Sequence, residues 1–230
     1  MAMQGITNTA QSLSYYRRAE ELMAHNLANT ETQGFKAIRV SASTGAANDG
    51  IAPVQWTDWR QGALSETGRP LDIALEGPGF LVVQTEQGER LTRGGPLQLD
   101  AAGRITDLEG HPMLGIEGPI VVTGGSVDVE EDGTVRVDGS GAGQLRIESV
   151  SDLAALQRDE GGRYVPAGPT APVAPGATWV RQGRLEEPNL DAILAMVDLI
   201  GVHRAYAANL NVLKVMDSVL GIGVNEIAKV

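Results

Sequence analysis

Chemistry in this chain would have to come from a sparse set of side chains. Among 230 residues there are three histidines, His25, His111 and His203, and no cysteine. Without thiols there are no disulfides, no thiolate zinc sites, no Fe–S clusters and no cysteine nucleophile. Asp128, Glu130, Asp132 and Gly133 open like a calcium-binding loop. The bidentate glutamate that should close such a loop falls on Gly139, so a strand–turn–strand fits this stretch better. Asp72 and Glu76 could act as paired carboxylates, but isolated acids at strand ends are usually solvated. His203 and Tyr206 share a helical face, an arrangement that suits a packed contact better than a proton relay. No phosphate-cradling G-x-x-x-x-G-K-[ST], no H-E-x-x-H and no G-x-S-x-G is present. The expectation is a protein that is not an enzyme, with no catalytic residue, no cofactor and no metal.

The elements that would position these residues fall into three stretches. Over residues 1–30, Ile6, Thr9, Leu13, Tyr16, Glu20, Met23 and Leu27 alternate spacings of three and four without a proline, which predicts a helix. From Ile6 to Ala28 it would run for roughly 35 Å, and Asn29, Thr30, Thr32 and Gly34 supply stop signals. Ser41–Gly50 is small and polar and reads as a loop or linker, with Trp56 and Trp59 following it to cover a domain edge. From about Leu64 to Arg184, short apolar stretches alternate with Gly, Pro and Asp. Leu71–Leu75, Phe80–Val83, Leu97–Leu99, Ile120–Val122, Val127–Val129, Val135–Val137 and Leu145–Ile147 are the expected strands, half-buried where they show a period of two. Asp100–Gly103 and Asp132-Gly133 would make hairpin turns, while Val165–Gly176, with its prolines, suits an ordered or mobile loop. Helix returns after Asn189, a plausible N-cap, and Asp191 favours its positive end. Leu190, Ile193, Val197 and Ile200 make one stripe that shifts into Tyr206, Leu210 and Leu213, over roughly 46 Å to Leu220. Gly221 and Gly223 mark the expected fraying end. Neither terminal helix buries its stripe alone, so each needs a partner.

Charge sorts along the same division. The chain holds 18 Lys and Arg against 29 Asp and Glu, a net charge of −11. Residues 1–40 carry +1, residues 186–230 carry −3, and the middle carries −9. Acidity on the β-rich middle suits a surface facing water and argues against wrapping nucleic acid or an anionic membrane. The near-neutral ends suit association. The longest apolar runs are about five residues against the roughly twenty that a membrane span needs, and the first residues lack the pattern of a cleaved signal peptide. On these grounds alone the reading is a soluble, cytoplasmic protein.

At His25-Asn26-Leu27-Ala28-Asn29-Thr30-Glu31-Thr32-Gln33-Gly34-Phe35-Lys36 the chain resembles the N-terminal signature N-L-A-N-x-x-T-x-G-F-K of bacterial flagellar axial proteins. The run from Arg69-Pro70-Leu71-Asp72 through Gly77-Pro78-Gly79-Phe80, with Leu91-Thr92-Arg93-Gly94-Gly95 and Leu99-Asp100-Ala101-Ala102-Gly103, is similar to the same family's second block. Met196-Val197-Asp198-Leu199-Ile200 through His203-Arg204-Ala205-Tyr206-Ala207-Ala208-Asn209 is similar to its C-terminal block. There are departures. The usual S-N-V before the last helix is Pro188-Asn189-Leu190, Q-R-A-Y is His203-Arg204-Ala205-Tyr206, and the second Phe of a Phe-Phe pair is Leu81. The shortness of the chain and these departures fit a proximal-rod type better than a distal-rod or hook-like subunit.

The resemblance implies an α+β fold. Its N- and C-terminal helices (1–30 and 186–230) would pair as a coiled-coil-like domain, followed by an extended linker (31–65) and a central all-β outer domain (66–185). It implies a structural subunit of the flagellar basal-body rod, assembling helically into a tube that transmits motor torque and encloses the export channel. Partners would be other copies of the chain, neighbouring axial proteins and the flagellar type III export apparatus, with no nucleic acid and no membrane insertion. Export by that route needs no cleaved signal peptide, so the end point would be the rod in the periplasmic space rather than the cytoplasm. The expected assembly interface comprises Leu13, Tyr16, Leu27, Asn29, Phe35, Ile193, Val197, Ile200, Tyr206, Leu210 and Leu213. Rival readings are a self-associating two-helix protein, or a ligand-binding β module on a helical stalk for which only Tyr164 and Trp179 offer aromatic contacts.

Overall fold

A computed structural model describes residues 2–44 and 51–227. The fold is α+β, with a helix at each end and a mostly β middle. It divides into two compact units. The first is built from residues 1–30, 37–58 and 190–230, and the second from residues 31–36 and 59–189.

In the first unit, α1 (Ala2–Ala28) ends where the Asn-Thr stop signals begin, and α2 (Ala192–Ile227) is the longer helix. The α2 cap is Asp191 and not Asn189: its Oδ1 accepts from the backbone N–H groups of Ile193 at 2.8 Å and Leu194 at 3.0 Å. Asn189 is occupied elsewhere, as described below. The helix also continues through Gly221 and Gly223 to Ile227, because an isolated glycine weakens a helix by only about 1 kcal/mol. The two helices pack antiparallel. Thr9 lies near the Met216 sulfur, while Glu20 meets His203, at 3.9 and 3.0 Å respectively.

The stretch expected as an extended linker contains an antiparallel strand pair, β1 (Ile38–Thr44) with β2 (Ile51–Thr57), from Ile38 opposite Thr57 to Thr44 opposite Ile51. The loop expected over Ser41–Gly50 is strand as far as Thr44, and residues 45–50 lie outside the described residues. The hairpin belongs with α1. Arg18 Nε and its terminal nitrogen donate to Gln55 Oε1 at 3.2 and 2.7 Å, and Asp58 N–H donates to the Ala37 carbonyl at 2.8 Å.

The second unit is built around β3 (Leu64–Glu66), β4 (Asp72–Glu76), β5 (Phe80–Thr85), β6 (Gly88–Thr92) and β7 (Gly94–Pro96). The largest sheet runs in the order 157–158, 164–165, β6, β5, 147–149, 171–172, and a second sheet places β4 between 179–182 and β7. The chain closes by pairing Arg184–Glu186 with β3. Strand β5 is buried on both faces and not on one. Leu81 and Val83 enter a core with Ile73, Leu75, Ile105, Met113, Val135, Leu145 and Val180. Phe80 and Val82 enter a second core with Leu91, Leu114, Leu156 and Tyr164. The Asp132-Gly133 stretch is the expected hairpin turn between 127–129 and 134–137. Ile120–Val122 makes only an isolated bridge through Val121 to Arg104, whereas Ala171–Pro172, inside the proline-rich stretch, pairs with Glu148–Ser149 at a sheet edge, a position proline tolerates.

Candidate functional site

The C-terminal helix has two apolar sides. Ala195, Leu199, Val202, Tyr206, Asn209, Leu213 and Met216 recur at spacings of four and three and are buried or half-buried. Opposite them lie Ile193, Val197, Ile200 and Val215, exposed by 73, 59, 51 and 62%. At 100° per residue these two rows stand about 180° apart. Leu194, Met196, Val212, Val219 and Ile222 widen the exposed side. Large aliphatic side chains clustered in this way are the candidate for an interaction surface.

The expected interface residues therefore divide. Ile193, Val197 and Ile200 lie on the exposed side of α2, while Tyr206, Leu210 and Leu213 are half-buried. Leu13, Tyr16 and Leu27 are half-buried on α1, with Tyr16 edge-on to Tyr15 at 5.3 Å. Asn29 is half-buried and donates to the His25 carbonyl at 2.9 Å. Phe35 lies in the second unit, buried beneath the Arg158 guanidinium, which sits 4.9 Å from its ring.

Residues not singled out from the sequence do much of the positioning. Asn26, buried on α1, uses its amide as a second backbone. Its Nδ2 donates to the Ile38 carbonyl at 2.7 Å, and its Oδ1 accepts from the Ile38 N–H at 2.9 Å. The first residue of β1 is thereby held to the last turns of α1. In the second unit, Lys36, Arg93 and Glu186 form a buried ionic cluster. Lys36 Nζ meets Glu186 Oε1 and also donates to the Arg60 carbonyl at 2.9 Å. Arg93 Nε donates to Glu186 Oε2 at 3.2 Å. Its other nitrogens donate to the carbonyls of Gly77 at 2.9 Å, Gly79 at 2.5 Å and Leu75 at 3.1 Å. Gly62 N–H donates to Glu186 Oε1 at 3.0 Å, and a methyl group at Gly62 would overlap the Glu187 carbonyl.

Beside this cluster, Arg158 donates to the Lys36 carbonyl and faces the rings of Phe35 and Tyr164. Burial lowers its pKa, opposed by the charge of Tyr164, and burial raises that of Tyr164. Tyr164 packs against Trp59 and Phe80 at 4.9 and 5.9 Å, so Trp59 joins a core and Tyr164 is no open ligand platform. Trp179, the other aromatic of the ligand-module reading, is an exposed strand residue. Two of the cluster's charges stand in the motif blocks, Lys36 closing the first and Arg93 inside the Leu91-Thr92-Arg93-Gly94-Gly95 run of the second, whereas no motif marks Glu186.

Asn26, Lys36 and Arg93 thus fall inside the blocks that carry the resemblance, whereas Glu186, Arg158 and Tyr164 lie outside them. Residues 74–137 match the family model "Flagellar hook protein FlgE/F/G D1 domain", and residues 181–226 match "Flagellar basal body rod FlgEFG protein C-terminal". Over 88% of its length, and 89% of the relative's, the chain is 31% identical to the flagellar basal-body rod protein FlgF of Escherichia coli. This chain belongs to the flagellar basal-body rod protein family. It is also 28% identical to FlgG of Agrobacterium fabrum over 96% of this chain and 98% of that one. The flagellar hook-basal body complex protein FlhO of Bacillus subtilis is 27% identical, over 99% of this chain and 100% of that one. The FlgF relatives support the proximal-rod type. As a rod family member the chain is a structural, axial component of the flagellar basal body, and its relatives are rod proteins and not enzymes. Among the described residues, no helix is long and apolar enough to cross a membrane.

Proposed function

We propose that the chain is a helically repeated rod subunit whose terminal helices form a coiled-coil-like pair, with the outer side of α2 covered by a neighbouring copy. The observation that carries this reading is the double-sided α2: one apolar row faces α1 and the opposite row is exposed among the described residues. A contact joining unlike surfaces of identical copies does not close on itself, and it grows as a helix when the rotation fails to form a ring. Repetition of this kind builds a tube that transmits motor torque and surrounds the export channel. Neighbouring axial proteins take the place of the second copy at the two ends of the run. The flagellar type III apparatus delivers the chain to the periplasmic space.

The absence of cysteine allows a direct test. A cysteine placed at Val197 should react readily with a maleimide in the dilute monomer and be shielded in isolated basal bodies. A cysteine at Ala101, on an exposed turn of the second unit, is the comparison site. Equal labelling at position 197 in both states overturns the proposal.

A further inference from the structure

The chain passes between its two units at 30/31, 36/37, 58/59 and 189/190, and the segments bordering these passages are fastened within the second unit to one cluster. We propose that Lys36, Arg93 and Glu186 are a clamp against mechanical force: they cross-link the chain where it enters and leaves the second unit, so that force reaching any passage is shared with that unit's core. The role in load rests on the torque-transmitting function proposed above, whereas the clamp itself rests on the following geometry.

Each bordering segment is bonded to another before it leaves. In 31–36, Gly34 N–H donates to the Glu186 carbonyl at 2.6 Å, the Phe35 carbonyl accepts from Asn189 N–H at 3.4 Å, and Lys36 reaches Glu186. At 59–62, the Arg60 carbonyl accepts from Lys36 Nζ and from Asn189 Nδ2, both at 2.9 Å, and Gly62 binds the Glu186 carboxylate. Lys36 and Glu186 are 150 residues apart, so the ion pair joins the first and last segments of the unit. Arg93 then anchors the carboxylate to the sheets through the carbonyls of Leu75, Gly77 and Gly79. A strand held by a ladder alone peels one bond at a time, whereas cross-linked segments must give way together. Buried charges suit the task because removing one partner leaves the others desolvated and uncompensated.

The test uses full-length Glu186→Gln, with Arg93→Lys as the second variant because it keeps the cation and loses the three-carbonyl fork. Amide exchange at Gly34, Gly62 and Glu187 should quicken at least tenfold, while Ile105 and Leu145 in the first core keep their rates. Exchange that quickens equally at all five amides, or at none, overturns the clamp. In a strain lacking the gene and supplied with Arg93→Lys, swimming should match wild type in dilute medium and fail as viscosity rises. Loss of the same fraction of speed at every viscosity, or no loss at any, overturns the role in carrying force. A deletion strain that swims normally would instead reject the rod function, and the exchange rates would still read the clamp.

Discussion

At the scale of single residues, polar side chains that imitate backbone do much of the positioning. Asn26 satisfies both hydrogen-bonding groups of Ile38 from a buried position. Asn26→Ala leaves those groups without partners, a loss of about 1–3 kcal/mol, and chemical denaturation of the full chain should show it. Asn26→Asp keeps only the accepting half and should fall between. Carboxylates at turns act in the same way. Asp159 has its pKa lowered from the ordinary 3.8, first by the Arg90 hydrogen bond and then by the backbone N–H of Glu160. A carboxylate with a lowered folded pKa stabilises at pH above its unfolded value and loses that share as pH falls through the folded value. Asp100 and Asp132, lowered mainly by backbone N–H groups of Arg104 and Thr134, act in the same direction. Stability should therefore decline as pH drops below 3.8. Asp159→Asn should flatten that decline and lower stability at neutral pH by about 1 kcal/mol, since the pair is partly exposed. A neutral-pH stability equal to wild type, with an unchanged acid slope, would contradict the assignment.

At the scale of elements, the two sides of α2 separate folding from assembly. Leu213 is half-buried on the side facing α1, and Val197 is 59% exposed. Val197→Asp puts a charge on a surface that is wet in the monomer, so helicity and unfolding should match wild type while rod formation stops. Leu213→Asp puts the charge against α1, where desolvation lacks compensation, and should loosen the helix pair before any question of assembly. Circular dichroism of the monomers and electron microscopy of basal bodies distinguish them; loss of monomer helicity in Val197→Asp would place that residue inside the pair. These elements were differently legible in the sequence. A period near 3.6 announced both helices, and a period of two with Asp-Gly punctuation announced several strands. One stripe drawn through Ile193, Val197, Ile200, Tyr206, Leu210 and Leu213 hid the two sides, because a helix with apolar residues on two sides has no single polar face to orient it. The β1–β2 pair was hidden because its fixing comes from α1, where Asn26 holds Ile38 of β1 and Arg18 holds Gln55 of β2, rather than from an apolar pattern. The clamp was hidden for a different reason: Lys36 and Glu186 meet across 150 residues, beyond any local period.

At the scale of the whole molecule, the two units differ in how they are held. The second unit has two apolar cores, with Ile73, Leu75, Leu81, Val83, Ile105 and Val135 at no more than 1% exposure. Among the described residues of the first unit, the buried apolar side chains are Ala19, Leu22, Ala37 and Ala195. Alanine adds little apolar area, while each fully buried large aliphatic side chain contributes roughly 1.5–3 kcal/mol. Helices draw most of their stability from packing, and regions with few buried apolar contacts open locally at low free energy. In a dilute monomer, amides of α1 and α2 should therefore exchange fast while Val83, Ile105 and Leu145 exchange slowly. Addition of the neighbour changes only the first unit in this account: its second apolar side becomes covered, so α2 amides around Val197 and Val215 should slow on assembly and those of the second-unit cores should stay as they were. The measurement is hydrogen exchange on a monomer verified by sedimentation and on isolated basal bodies. Protection of α2 in the monomer equal to that of Ile105 would show that the first unit is complete without a partner, and slowing of both units alike would show that assembly is carried by the β surface instead of the helix.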